Sequence, residues 1–342
     1  MKLVYLANVF LFLILIQSPA AAQYFENKES RPALGTIVSV DVCYVDGRQD
    51  DIKAAMDAVW RRVDEIHARL NPFSKTSDVS LINASHGRPT RVHDDVYRLL
   101  KLSQRGYETT NGVFDVTIGP LMELWANAEK NRRLPDQQEI ADVKRHVDAS
   151  KIILSSYSFV QLPENMKLDV SGAAQGFAAD EIKDVLTAHG FHNFLVDTGG
   201  EIYAAGVNCQ EKPWKVGIKN PLNKEELFDA VELHDAALST SGNYERNFVI
   251  NGEQRSKIIQ PKTGYPERGV ASATVIAPTA VEADILSTTV CALGPLQGLK
   301  LINSFGDNYA ALILSTSQSG ILQYHSSPEY ENHRSSISKE WP

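Results

Sequence analysis

The chain has 342 residues, 43% of them apolar and 22% charged, and carries a net charge of −8. That length and apolar content allow a large buried core and exclude a disordered chain. The acidic balance, with no run of Lys or Arg, excludes nucleic acid or an anionic membrane surface as the main partner.

At the start, MKLVYLANVFLFLILIQSPAAAQ sets Lys2 before an apolar run from Leu3 to Ile16, followed by Pro19 and the small residues Ala20, Ala21 and Ala22. This pattern predicts a secretory signal peptide over 1–22, because the run is shorter than the ~20 residues that span a bilayer. No cysteine follows the run to accept a lipid. The mature protein is therefore expected to be exported and soluble.

Residues 36–43, TIVSVDVC, alternate as a half-buried strand does, and 52–70 place Ala, Val, Ile and Leu at helical spacing. The mature chain is thus expected to open with a strand and then a helix. A polar, turn-rich stretch over 71–78 leads to a predicted helix around 94–110 and to NGVFDVTIGPLMELW, residues 111–125. Residues 126–150 are charged, without a strong apolar face, and predict a solvated surface helix. Beyond them KIILSSY, FVQL, FLVDTG, EIYAAG, WKVGI, AALSTS, ATVIA and ALILST predict short strands separated by Gly, Pro and Asn. Helices are predicted near 174–190, 282–292 and 295–304. Together these elements predict an α+β fold with sheets packed against helices. The polar stretch after Tyr324 is expected to be loosely held.

Three cysteines, Cys43, Cys209 and Cys291, lie far apart without C-x-x-C spacing, so neither a zinc site nor a dense disulfide framework is indicated. One bridge can form and one thiol must remain. Cys291, within TTVCALG, reads as buried packing.

Glycines gather in SGAAQGFAAD (171–180), VDTGGEIYAAG (196–206), STSGNYE (239–245) and PKTGYP (261–266). Such turns let a backbone approach a ligand, and where they open helices they expose N–H groups to phosphate; ordinary turn chemistry accounts for any one of them. None matches G-x-G-x-x-G or a Walker loop, so a Rossmann or P-loop site is not expected. The stretch VEADILSTT, 281–289, puts Asp284 and Thr288 one helical turn apart on one face. Two readings stand: a helix cap with a threonine bonded one turn back, or two oxygen ligands for a hard cation such as Mg²⁺.

Taken together, PALGTIVSV (32–40), PFSKTSDVSLIN (72–83), TNGVFDVTIGPLMELW (110–125), LDVSGAAQGFAAD (168–180), FLVDTGGEIYAAG (194–206), STSGNYERNF (239–248), IIQPKTGYP (258–266) and VIAPTAVEADILSTTVCALG (275–294) resemble the ApbE family of bacterial FAD:protein FMN transferases. The resemblance runs through nearly all of the mature chain in the family's order. It implies a T-fold-related α+β domain over 23–325, with mixed sheets packed against helices, a nucleotide site between two lobes, and a polar tail over 326–342. It further implies a Mg²⁺-dependent, periplasmic enzyme that splits FAD at its pyrophosphate, attaches FMN to a threonine or serine of a partner protein, and releases AMP. The implied acceptor is a subunit of a membrane redox complex.

Residue by residue, the resemblance makes Asp284 and Thr288 metal ligands, completed by backbone carbonyls near Gly172 and Ala174. Leu34 stands where the family usually has a methionine beside the flavin, and Phe73 where an aromatic lies against it. Val113, Phe114 and Asp115 match the segment lining the nucleotide, Asp169 and Gln175 match nucleotide contacts, and Thr240 and Ser241 match a TSG turn that reaches phosphate. Lys257 and Gln260 depart from the family's usual His and Asp, which puts the rate of transfer in question; a lysine holds a phosphate but is a poor base near neutral pH. Lys257 is nonetheless the candidate catalytic group at that position. Two other readings share the site: an FAD pyrophosphatase with water as acceptor, and a non-catalytic FAD-binding or delivery protein.

Overall fold

The computed structural model describes residues 23–335 apart from 244–246 and 318–319; the predicted signal peptide and the last seven residues of the tail lie outside the described residues. The chain builds one eight-stranded sheet from β1 (Tyr24–Ala33), β2 (Thr36–Val45), β3 (Phe194–Asp197), β4 (Glu201–Ala205), β5 (Ala236–Gly242), β6 (Val270–Ala277), β7 (Ala310–Thr316) and β8 (Leu322–Ser326). Neighbours in the sheet follow chain order, and every pair is antiparallel. The helices are α1 (Gln49–Leu70), α2 (Asp78–Asn83), α3 (Asp94–Thr109), α4 (Gly119–Lys130), α5 (Gln137–Lys144), α6 (Ser171–Ala188), α7 (Ala280–Asn303) and α8 (Tyr330–His333). The expected α+β class is what the chain forms.

Alternation along β2 turns Val38, Val40 and Val42 inward, where they meet the buried stripe Ile52, Ala55, Met56, Val59 and Val63 of α1 and one side of α6. The same face of the sheet carries α7 on β6 and β7. The opposite face is covered by a small sheet of Trp214–Asn220, Asn223–Leu233 and Arg334–Ser335, packed through Trp214, Val216, Val231 and Leu233. A second core gathers α2, α3, the end of α1 and a small sheet of Thr90–Arg91, Ile153–Ser155 and Phe159–Gln161. Ala173 and Phe177 of α6 and Val281 and Ile285 of α7 belong to this second core. The first turns of α6 and α7 therefore lie where the two cores meet.

Two polar ties fix that junction. Asp180 of α6 accepts the N–H groups of Ala280 and Val281 at 3.0 Å each, satisfying donors that the first turn of α7 leaves open. Arg62, Arg69 and Arg98 surround Asp95 and Glu181, tying α1 and α3 to α6. Burial opposes the charge on Asp95, yet these guanidinium groups hold its carboxyl well below the usual carboxylate range.

The structure differs from the sequence reading at four places. Strand β1 precedes the expected first strand; YFENKESRPA has little β-branched character and is held by ten paired positions against β2. Residues 126–150 form the end of α4 and all of α5, not one solvated helix, and Trp125, Ala128 and Ile140 pack on Phe248, Ile250 and Ile259. The two helices expected near 282–292 and 295–304 are one element, broken at Gly294 with φ 74° ahead of Pro295. Finally, the stretch after Tyr324 is docked as far as Ser335. Tyr330 is buried, and its hydroxyl donates to Asp229 Oδ2 at 3.2 Å, beside Arg334 Nε at 2.8 Å from the same oxygen. Tyr330→Phe, which leaves Asp229 paired with Arg334, is expected to lower the unfolding free energy in urea by about 1 kcal/mol.

Cys43 and Cys209 form a disulfide across 166 residues, with Cα atoms 5.3 Å apart, and Cys291 is a buried free thiol as its apolar setting implied.

Candidate active site

Helix α7 starts at Ala280, and its N-cap is Thr279, whose hydroxyl accepts the Glu282 N–H at 3.3 Å. Asp284 is therefore in the second turn and is not the cap. It is 3% exposed, and its Oδ2 accepts the N–H of Gly176 in α6 at 3.0 Å. Burial pushes its carboxyl up to about 7, with the Gly176 N–H pulling the other way. Among the described residues no Lys or Arg forms an ion pair with it.

Glycine brings α6 this close. A Cβ on Gly176 would stand 2.3 Å from the Ala280 carbonyl oxygen and 2.8 Å from Asp284 Cβ. One turn earlier, a Cβ on Gly172 would stand 3.2 Å from Phe114 and 3.3 Å from Thr288 Oγ1. Asp284 thus faces Gly176, and Thr288 faces Gly172. The N–H of Gly176 is ordinarily the helical partner of the Gly172 carbonyl, so its bond to Asp284 competes with that carbonyl's usual donor. Ala174 lies in the same turn, half-buried against the second core.

From the sheet, β5 delivers hydroxyls to the other side of α7. Ser241 Oγ lies 3.2 Å from Thr288 Oγ1 and 2.9 Å from Ser287 Oγ, and Ser239 Oγ lies 2.9 Å from Ser287 Oγ. The expected TSG turn is strand, so its side chains alternate. Thr240 points away from α7 and bonds Thr274 of β6 at 2.8 Å. Ser241 meets Thr288 and Thr240 does not.

The remaining predicted residues fall into two groups. Val113 and Phe114 are buried, and Phe114 packs between Gly106 and Gly172. Asp115 spends its carboxylate inside the protein, accepting from Thr117 N and Oγ1 at 2.8 and 2.6 Å and from Ala149 N at 3.1 Å. Burial raises its pKa against those bonds. These three side chains are turned into the fold, where the segment presses Phe114 against the first turn of α6.

The open group is Leu34, Phe73, Asp169 and Gln175. Leu34 and Gly35 form the two-residue loop of the β1–β2 hairpin, with φ 54° and 76°. Leucine is unfavourable in that conformation, and its N–H is fastened to His67 Nδ1 at 3.2 Å. Phe73 is 94% exposed, its N–H bonded to Asn71 Oδ1 at 2.9 Å. Asp169 Oδ1 accepts the Ser171 N–H at 3.0 Å just ahead of α6, and the half-buried Gln175 has its carbonyl held by Thr198 Oγ1 at 2.9 Å.

Lys257 is exposed between the strands Glu253–Ser256 and Ile259–Gln260, with Nζ 5.4 Å from the Phe248 ring centroid. Among the described residues no hydrogen bond or ion pair joins it to Asp284 or Thr288. Gln260 builds the following turn: its Oε1 accepts from Lys262 N at 3.0 Å and its carbonyl from Gly264 N at 2.8 Å. A cleft of about 530 Å³ opens beside the end of β5, lined by Asn243, Arg255, Ser256 and Glu267 among others. Among the described residues, Asn243 Oδ1 and Arg255 Nε are buried without a hydrogen-bond partner.

Sequence reading missed Ser239, Ser287 and Gly176. Ser239 and Ser241 are two apart on a strand, hence on one face, and Ser287 follows Asp284 by three on a helix. Those spacings were the available signal.

The donor set suits a hard cation. It is all oxygen, with a single buried carboxylate, and among the described residues no three His, Cys, Asp or Glu side chains cluster as a metal cage. Mg²⁺ is commonly held by one or two carboxylates together with substrate phosphates.

Comparison with known proteins agrees with this architecture. The family model described as the ApbE family matches residues 34–313. A curated FAD:protein FMN transferase of Klebsiella pneumoniae (strain 342) is 31% identical over 284 residues, covering 80% of this chain and 80% of its own. One of Haemophilus influenzae is 31% identical over 275 residues, covering 77% and 79%. Among solved structures, the ApbE protein of Thermotoga maritima superposes with a TM-score of 0.79 at 28% identity, covering 92% of this chain and 100% of its own. The apo form of Pseudomonas stutzeri flavinyl transferase ApbE gives 0.80 at 26%, covering 91% and 97%. With the matched model spanning most of its length, this chain belongs to the ApbE family.

Proposed function

We propose that this protein is an exported, Mg²⁺-dependent FAD:protein FMN transferase, acting on a threonine or serine hydroxyl of a membrane redox protein. The observation that carries the reading is the buried Asp284, without a cationic partner among the described residues, one turn from Thr288, at the glycine-opened junction of α6, α7 and β5. The activity for which the relatives are named supports the substrate, FAD. The Cys43–Cys209 disulfide supports an oxidising compartment such as the periplasm.

In this reading Asp284 and Thr288 would hold the metal, together with the backbone carbonyls of Gly172 and Ala174. A bound Mg²⁺ would neutralise charge growing on the pyrophosphate and orient the attacked phosphorus. Phe114 and Gly172 keep that side of the site narrow, and the N–H groups opening α6 favour the phosphates. The phosphoanhydride bond breaks with AMP as leaving group, while the acceptor oxygen forms a phosphoester bond to FMN and gives up its proton to water. Because such transfer rests mainly on positioning and electrostatics, the exposed Lys257 can serve as a phosphate-side charge without acting as a base.

The test is to incubate mature protein with FAD and a candidate acceptor, with and without Mg²⁺, separating nucleotides by chromatography and weighing the acceptor by mass spectrometry. AMP release with FMN mass on the acceptor, both Mg²⁺-dependent, is expected. AMP and free FMN without added mass would assign a pyrophosphatase, and intact FAD with the acceptor present would assign a carrier.

Phe73, almost wholly exposed, has little packing to lose. Phe73→Ala is expected to change stability by less than about 0.5 kcal/mol while weakening FAD binding roughly tenfold, the loss of one stacking contact. Fluorescence titration of FAD beside a thermal melt separates the two effects.

A further inference from the structure

The hydroxyls around Thr288 admit only one set of proton positions. Ser287 Oγ is 3.0 Å from the carbonyl oxygen of Asp284, and a carbonyl only accepts, so Ser287 donates there. Its single proton is then used. The 2.9 Å contacts from Ser239 and Ser241 must both be donated to Ser287, which gives its oxygen one donated and two accepted bonds. Ser241 has now used its own proton, so in the 3.2 Å contact Thr288 is the donor.

The helix shows why Thr288 takes this partner. Its neighbour Thr289 makes the usual bond to the carbonyl four residues back, Ile285, at 2.7 Å. The equivalent acceptor for Thr288 is the Asp284 carbonyl, which Ser287 occupies. Thr288 is left to Ser241, and its proton points at β5.

We infer that Ser287 and Ser241 are positioning residues for the metal site, acting as a directed chain from Thr288 through Ser241 and Ser287 to the Asp284 carbonyl. This chain holds the Thr288 proton on the strand side and leaves the oxygen's lone pairs turned to the Gly172 side. A hydroxyl of fixed polarity is thereby presented to a cation without cost at the moment of binding. Ser239 donates to the same oxygen but stands off the path to Thr288, so it contributes packing and not polarity. The inference rests on the metal reading of Asp284 and Thr288.

The test measures metal affinity and not turnover. Mg²⁺ is titrated by calorimetry into EDTA-stripped mature protein, alone and with AMP, for wild type and for Ser287→Ala, Ser241→Ala, Ser241→Thr and Ser239→Ala. Ser241→Ala and Ser287→Ala are expected to weaken Mg²⁺ roughly tenfold, the usual size of an outer-shell effect. Ser241→Thr restores the affinity, and Ser239→Ala stays within about twofold. Equal losses in Ser239→Ala and Ser241→Ala would reduce the network to packing and overturn the inference, as would no loss in either. Should Ser287→Ala fail to fold, the contrast between the Ser239 and Ser241 variants decides alone. A wild type that binds no Mg²⁺ at millimolar concentration would overturn the metal reading itself, and the inference with it.

Discussion

Asp284→Asn is expected to abolish Mg²⁺-dependent release of AMP from FAD, by roughly a thousandfold or more, and at the same time to stabilise the metal-free protein at pH 8. The loss follows from removing the one buried carboxylate among the oxygen donors of the site. The gain follows from its burial. Asparagine keeps the shape and the bond from the Gly176 N–H while carrying no charge, so the desolvation of an unpaired carboxylate disappears. In the wild type, burial raises the folded-state pKa from 3.8 to about 7. Between those values the folded protein keeps a proton that the unfolded chain has released, so metal-free stability falls as pH rises from about 4 to 7 and stays low above. The variant lacks that decline. Thermal melts in EDTA at pH 5 and pH 8 check it: the variant's advantage over wild type should be much larger at pH 8 than at pH 5. Full activity in the variant would return Asp284 to a structural role.

Gly176→Ala is expected to cost about 3 kcal/mol or more and to remove Mg²⁺ binding with it. The added Cβ would meet the Ala280 carbonyl oxygen at 2.3 Å and its carbon at 2.7 Å. These are backbone atoms at the start of α7, fastened by Asp180 through the Ala280 and Val281 N–H groups. They cannot swing aside as a flexible side chain does, so the two helices must part, which is overpacking at its most costly. Parting them breaks the Gly176 bond to Asp284 and moves Gly172 away from Thr288. Urea unfolding gives the stability loss, and calorimetry gives the metal affinity. A variant of wild-type stability would mean that the α6–α7 contact is looser than its geometry implies.

The sequence by itself determined much of this. Alternation in TIVSVDVC fixed the inward face of β2, and helical spacing fixed the buried stripe of α1 and the shared face of Asp284 and Thr288. These are properties of one element's own period, legible wherever apolar and polar residues recur at two or 3.6. The small residues of SGAAQGFAAD announced a close approach, and the family resemblance carried the order of the segments.

Only the tertiary structure decided what approaches. Gly176 meets Asp284 across 108 residues, and Ser241 meets Thr288 across 47. No local pattern encodes which element lies opposite, because that choice depends on the packing of whole faces. The same reason turned Thr240 away once STSG proved to be strand, sent Phe114 and Asp115 inward, and held the unpromising β1 by pairing with β2 and by contacts to Trp60 of α1. Two oxygens on one helix face were written in the chain. The hydroxyl chain that aims one of them exists only because a strand and two helices, far apart in sequence, are pressed together by the cores on either side.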